Sequence, residues 1–144
     1  MSGKFILNYG WVTRKKLKDN PNDIYIFGDN LIEKGFGGLA KECRGEPNAF
    51  GIPTKKAPTM FPDAFFYETK EDINLVFPIY IKKYKELKSL LDEDKNVMWP
   101  EGNIGVGLAK LPSKAPTIFM MLQEIKNNLI AHSNRINIDA NHSK

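Results

Sequence analysis

Cysteine and histidine are almost missing from this chain: Cys43 stands alone, and there are two histidines in 144 residues. A lone thiol excludes an intramolecular disulfide and any zinc site built on cysteine pairs. His132 and His142 both fall in the polar segment after Ala131, so no HExxH, no paired-histidine metal pattern and no Ser/His/Asp set can be assembled. No metal and no cofactor is expected. Long apolar runs are missing too. The opening stretch MSGKFILNYGWVTRKK holds none of signal-peptide or membrane-span length. A reducing, cytoplasmic setting with no membrane partner is the expectation. A strong charge of one sign is also lacking. The formal charge of +4 favours anionic ligands but falls well short of a nucleic-acid-binding tail. One stretch, Arg14, Lys15, Lys16 and Lys18 beside Tyr9 and Trp11, has the composition of a single-strand contact. Solvated surface accounts for it more simply, and direct nucleic-acid binding is not expected.

What is present is an alternation of strand and helix signals. Ile24 to Phe27 is β-branched and aromatic throughout, as in a strand covered on both faces. Phe5 to Leu7, Ala49 to Ile52 and Asn96 to Trp99 are further strand candidates. Thr13 to Asn20 reads as a turn of helix or a surface loop, and Gly37 to Cys43 as a short helix. Thr69-Lys70-Glu71-Asp72 has capping-box spacing. Behind it Ile73, Val76, Phe77, Tyr80, Tyr84, Leu87 and Leu91 form one helical face, with Pro78 expected to kink the helix or mark its start. Ser113 can cap a last helix with Pro116 in its first turn. The pattern predicts one domain over residues 1–131, a three-layer α/β/α sandwich with a mostly parallel, mixed sheet, and a frayed polar tail over 132–144.

Ligands of such sheets bind beyond the carboxyl ends of the strands, and the residues found there are unusual. One strand runs into Gly28-Asp29-Asn30 and then Gly35, Gly37 and Gly38. Another ends in Gly51-Ile52-Pro53-Thr54-Lys55, and a third in Gly102, Gly105, Val106 and Gly107. These segments hold eight of the chain's eleven glycines. Glycine lets a backbone approach a ligand closely, and successive N–H groups then make an anion nest, to which a following helix adds its dipole. Taken singly, each cluster has a plain account: an Asx turn for Asp29 and Asn30, a solvated side chain for Lys55, an ordinary turn for Gly105-Val106-Gly107. Their coincidence at one sheet edge points to a shared phosphate pocket. It is neither a P-loop nor a dinucleotide fingerprint, since GxxxxGK[ST] and a helix-opening GxGxxG are both absent.

Ile24-Tyr25-Ile26-Phe27-Gly28-Asp29-Asn30-Leu31, the glycine turn after it, Phe50-Gly51-Ile52-Pro53-Thr54-Lys55 and Ile104-Gly105-Val106-Gly107-Leu108-Ala109 together resemble the macro-domain-like proteins of phages and bacteria. The resemblance covers residues 23–56 and 97–125. It implies a macro-domain-like fold, a bacterial or phage-infected cytoplasm, and a partner that is an ADP-ribose-type small molecule or an ADP-ribosylated macromolecule. It implies Asn30 at the distal ribose, Gly35, Gly37 and Gly38 in a first ligand loop, and Gly105 and Gly107 in a second around the diphosphate. The Gly-Asp-Ile-Thr stretch that reads adenine in that superfamily has no counterpart, and neither has Pro58 to Phe66. The enzyme expectation is hydrolysis at the distal ribose, with Asp29 as general base, Asn30 orienting hydroxyls, and Gly28, Thr54, Lys55 and Val106 among the ligand contacts. The alternative is a non-catalytic module that binds ADP-ribose or a related nucleotide.

Overall fold

The computed structural model describes residues 2–142, with side chains to residue 138. Four strands, β1 (Phe5–Asn8), β2 (Asp23–Asn30), β3 (Ala49–Lys55) and β4 (Asn96–Pro100), form one sheet in the order β1-β4-β2-β3. Every pairing in it is parallel, so the expected mixed sheet is wholly parallel among the described residues. Alternation along β2 explains the layers. Ile24 and Ile26 join the core shared with α3 (Lys70–Asp92) and α5 (Pro116–His142). Tyr25 and Phe27 join Leu17 of α1 (Arg14–Asp19) and Ala40 and Cys43 of α2 (Ala40–Cys43). Period-two side chains on a doubly covered strand are apolar on both faces, and the result is a three-layer α/β sandwich. Pro53 is tolerated because β3 is an edge strand of the sheet.

Thr69 caps α3 by accepting from the Asp72 amide at 3.1 Å. Its box partner does not return the bond: Asp72 accepts from the Tyr67 amide and pairs with Lys56 at 3.0 Å. Pro78 neither starts nor ends α3, which runs unbroken from Lys70. Both Pro78 and Asn74, whose carbonyl loses its helical donor, are exposed, so water can satisfy that carbonyl. Phe77, expected on the buried face, is exposed. Ser113 lies inside a separate short helix, α4 (Leu111–Lys114), and does not cap α5. Glu68 does so instead, accepting from the Thr117 amide at 2.9 Å and from its hydroxyl.

The expected boundary at residue 131 is not found. Helix α5 continues to residue 142, His132 and Ser133 are buried, the Ser133 hydroxyl accepts from the Phe5 amide at 2.9 Å, and the Asn137 amide donates to the Gly3 carbonyl at 3.0 Å. Those bonds fasten the helix to the β1 edge. Ser143 and Lys144 of the expected tail lie outside the described residues. No helix among the described residues is long and apolar enough to cross a membrane.

Candidate functional site

The segments that leave the carboxyl ends of β2, β3 and β4 enclose one cleft of about 340 Å³. Gly28, Asp29, Asn30, Gly35, Gly37, Gly38, Thr54, Lys55, Gly105 and Gly107 all line it. Val106 does not; its side chain is half exposed elsewhere on the second loop. Thr54 is the floor. It is buried, and its atoms lie 3.2 Å from a Cβ placed on Gly28 and 3.3 Å from one placed on Gly105. A larger residue at either glycine would push the second loop off the sheet.

Two loops face each other across the opening. The first runs from Lys34 to Leu39, the second from Asn103 to Ala109, and a Cβ on Gly37 would sit 3.9 Å from Leu108 Cδ1, so they meet at the rim. Gly35, Gly38 and Gly105 have positive φ, of 91°, 57° and 81°. The amide groups of Gly35 to Leu39 and of Ile104 to Ala109 find no acceptor among the described residues. Runs of amides in such conformations are anion-binding concavities. The helices behind them are four residues each, α2 and α4, so the expected dipole contribution is small and the loop amides themselves carry the positive potential.

Asp29 and Asn30 have protein partners. Asp29 is 8 % exposed, and its carboxylate lies against Gly51, where a Cβ would come within 2.7 Å of Oδ2. Arg44 donates from Nη2 to Asp29 Oδ1 at 2.5 Å and from Nη1 to Oδ2 at 3.4 Å, and the Asn30 amide donates to Oδ1 at 2.8 Å. Asn30 closes an Asx turn: its Oδ1 accepts from the Ile32 amide at 3.1 Å, and its Nδ2 donates to the Lys34 carbonyl at 2.7 Å. Lys55 reaches along the wall to the Thr59 carbonyl and lies 4.7 Å from the Phe65 ring centre. Burial lowers its amine pKa.

Several lining residues gave no sequence signal. Arg44 follows α2 with no motif around it. Ala57, Pro58 and Met60 belong to a flap in which the Lys56 amide donates to the Ala64 carbonyl at 2.8 Å and Lys55 bridges Phe65 antiparallel. This is the segment without a counterpart in the resemblance. Asn103, at φ 68°, accepts from Trp99 Nε1 at 2.9 Å and anchors the second loop to the core. A second concavity of about 260 Å³ adjoins the first through Leu39 and is formed by Tyr9, Trp11, Pro100 and Glu101 among others. The cations next to it are largely engaged: Arg14 and Lys18 with Glu46, Lys15 with Asp19, and Lys16 with the Trp11 carbonyl. No group of three or more metal-ligating side chains occurs among the described residues.

Fold and site together define a parallel three-layer α/β protein with a glycine-lined, amide-rich cleft at the carboxyl edge of its sheet. The chain belongs to the family of unknown function DUF7831, whose model matches residues 7–125 and so takes in the whole cleft. No curated protein and no solved structure matches it.

Proposed function

We propose that the cleft binds ADP-ribose or a related nucleotide derivative, with the diphosphate held between the two glycine loops. The observation that carries this reading is the pair of facing loops whose amides meet no acceptor among the described residues. Fixed amides of this kind suit a phosphate because they hold negative charge without paying reorganisation at the moment of binding. The chain's excess of four positive charges works in the same direction. The neighbouring concavity at Trp11, whose side chain is 92 % exposed, leaves room for a flat base beside the phosphate site. The resemblance to macro-domain-like proteins supplies the choice of ADP-ribose over other nucleotides.

Binding is better supported than turnover. Asp29 already carries a guanidinium fork and Asn30 already bonds two backbone groups, so neither is disposed to activate water. Hydrolysis at the distal ribose remains the second reading because both residues stand in the wall of the same cleft. Titration calorimetry with ADP-ribose, AMP and inorganic pyrophosphate tests the first reading. The expected result is saturable ADP-ribose binding that pyrophosphate displaces; no heat from any of the three removes it. Product analysis on an ADP-ribosylated peptide and on ADP-ribose 1″-phosphate then decides turnover.

A further inference from the structure

An arginine in a phosphate cleft is ordinarily taken for a phosphate ligand. Arg44 lines this cleft, yet four of its five N–H donors are engaged by the protein. Nε donates to the Gly35 carbonyl at 2.7 Å, Nη2 to the Lys34 carbonyl at 3.3 Å and to Asp29, and Nη1 to Asp29. The guanidinium lies over the Phe27 ring, 5.7 Å from its centre, and the side chain is 17 % exposed. The carbonyl and N–H of a trans peptide unit point in opposite directions. Arg44, helped by Asn30, draws the carbonyls of Lys34 and Gly35 to one side. The N–H groups of the same two units, carried by Gly35 and Phe36, therefore point to the other side, where no acceptor among the described residues meets them.

We infer that Arg44, clamped by Asp29, is the positioning residue of the first glycine loop: it fixes the direction of the loop amides and does not itself hold the anion. The clamp is built from both ends. Asp29 is seated by the missing side chain at Gly51, and Arg44 by the Phe27 ring. A lysine cannot replace it, because one ammonium cannot span a carboxylate and two carbonyls in a planar fork. The functional half of this inference rests on the reading that the cleft takes a phosphate-bearing ligand; the structural half does not.

Two conservative variants separate positioning from simple charge. If Arg44 served the anion only as a point charge, R44K would keep most of the affinity, and if it held the anion in any way D29N, which removes a negative charge from the cleft, would bind ADP-ribose equally well or more tightly. If Arg44 positions the loop, R44K weakens ADP-ribose at least tenfold, close to the loss in R44A, and D29N weakens it as well. The sign of the D29N effect is therefore decisive. Amide NMR of the unliganded protein gives the independent readout. In R44K and D29N the resonances of Gly35 and Phe36 should shift and their heteronuclear NOE values fall, while those of Ile26 and Val97 in the sheet stay in place. Unchanged loop amides in both variants overturn the inference whether or not any nucleotide binds. Loosened loop amides with undiminished affinity overturn its functional half. Wild-type protein that binds none of ADP-ribose, AMP and pyrophosphate removes the proposed function, and the loop amides then decide the positioning role alone. D29N keeps size and shape, so it carries the test should R44K not fold.

Discussion

Gly105 and Gly107 stand two residues apart in one loop and are glycine for different reasons. Gly105 has a φ of 81°, and a Cβ there would meet Leu111 Cδ1 at 2.7 Å and Thr54 Cγ2 at 3.3 Å. The added atom would strike the protein beneath the loop, not a ligand above it, which differs from the expectation of a backbone kept bare for phosphate. Left-handed strain and overpacking together should make Gly105→Val cost about 2–4 kcal/mol in urea unfolding, with binding lost alongside stability. At Gly107 an added Cβ meets nothing within 4 Å, and the backbone is outside the left-handed range. Gly107→Ala should therefore change stability by about 0.5 kcal/mol or less yet weaken ADP-ribose in calorimetry, because the methyl group narrows the cleft. Equal binding by Gly107→Ala and the wild type would mean that the second loop does not approach the ligand. Cys43 is a simpler case. Burial pushes its thiol up to about 11, and it packs beneath β2 as a small apolar residue, in keeping with its reading as core.

Local sequence announces helix starts only when the cap is local. Thr69 is legible ahead of α3 because its partner amide lies three residues on, and Thr13 caps α1 in the same way through the Lys16 amide. The cap of α5 comes from Glu68, across 49 residues of chain, and no spacing rule reaches that far. Replacing Glu68 with alanine leaves the Thr117 amide without its carboxylate and should cost about 1 kcal/mol, as for other N-cap deletions. Glu68→Gln should keep most of that, since its carbonyl still accepts. Urea midpoints of the two variants check this; equal losses would show that charge at the helix start matters more than the hydrogen bond. The end of α5 was illegible for a related reason. His-Ser-Asn-Arg reads as tail because it is polar, but Ser133 and Asn137 spend their polar groups on the backbone of Phe5 and Gly3 at the far end of the chain.

At the scale of the whole molecule, three acidic protons are held more tightly in the fold than outside it. Burial is the leading cause in each: Cys43 rises from 9.0 to about 11, and Tyr25 and Tyr80 rise from 10.0. The stability tied to a raised pKa is complete below the unfolded value and is lost as pH climbs toward the folded one. Lys55 works in the opposite sense, since burial lowers its amine and alone it adds stability as pH rises. With three groups against one, the urea midpoint should fall between pH 9 and 11, and Cys43→Ala should fall less steeply than the wild type over that interval. A midpoint that holds or rises there contradicts the assignment. The sequence by itself determined the layered architecture, because apolar runs such as Ile24 to Phe27 can be buried only by covering both faces of a parallel sheet. It also determined where the glycines gather, since strand ends and glycine clusters are local patterns. The tertiary structure alone decided what those residues do. It joined Arg44 to Asp29, turned Asn30 inward to the loop, carried the Pro58 to Met60 flap over the cleft and moved Val106 out of it. Each of these depends on which side chains meet across distant segments, and a pairing in space leaves no periodicity along the chain.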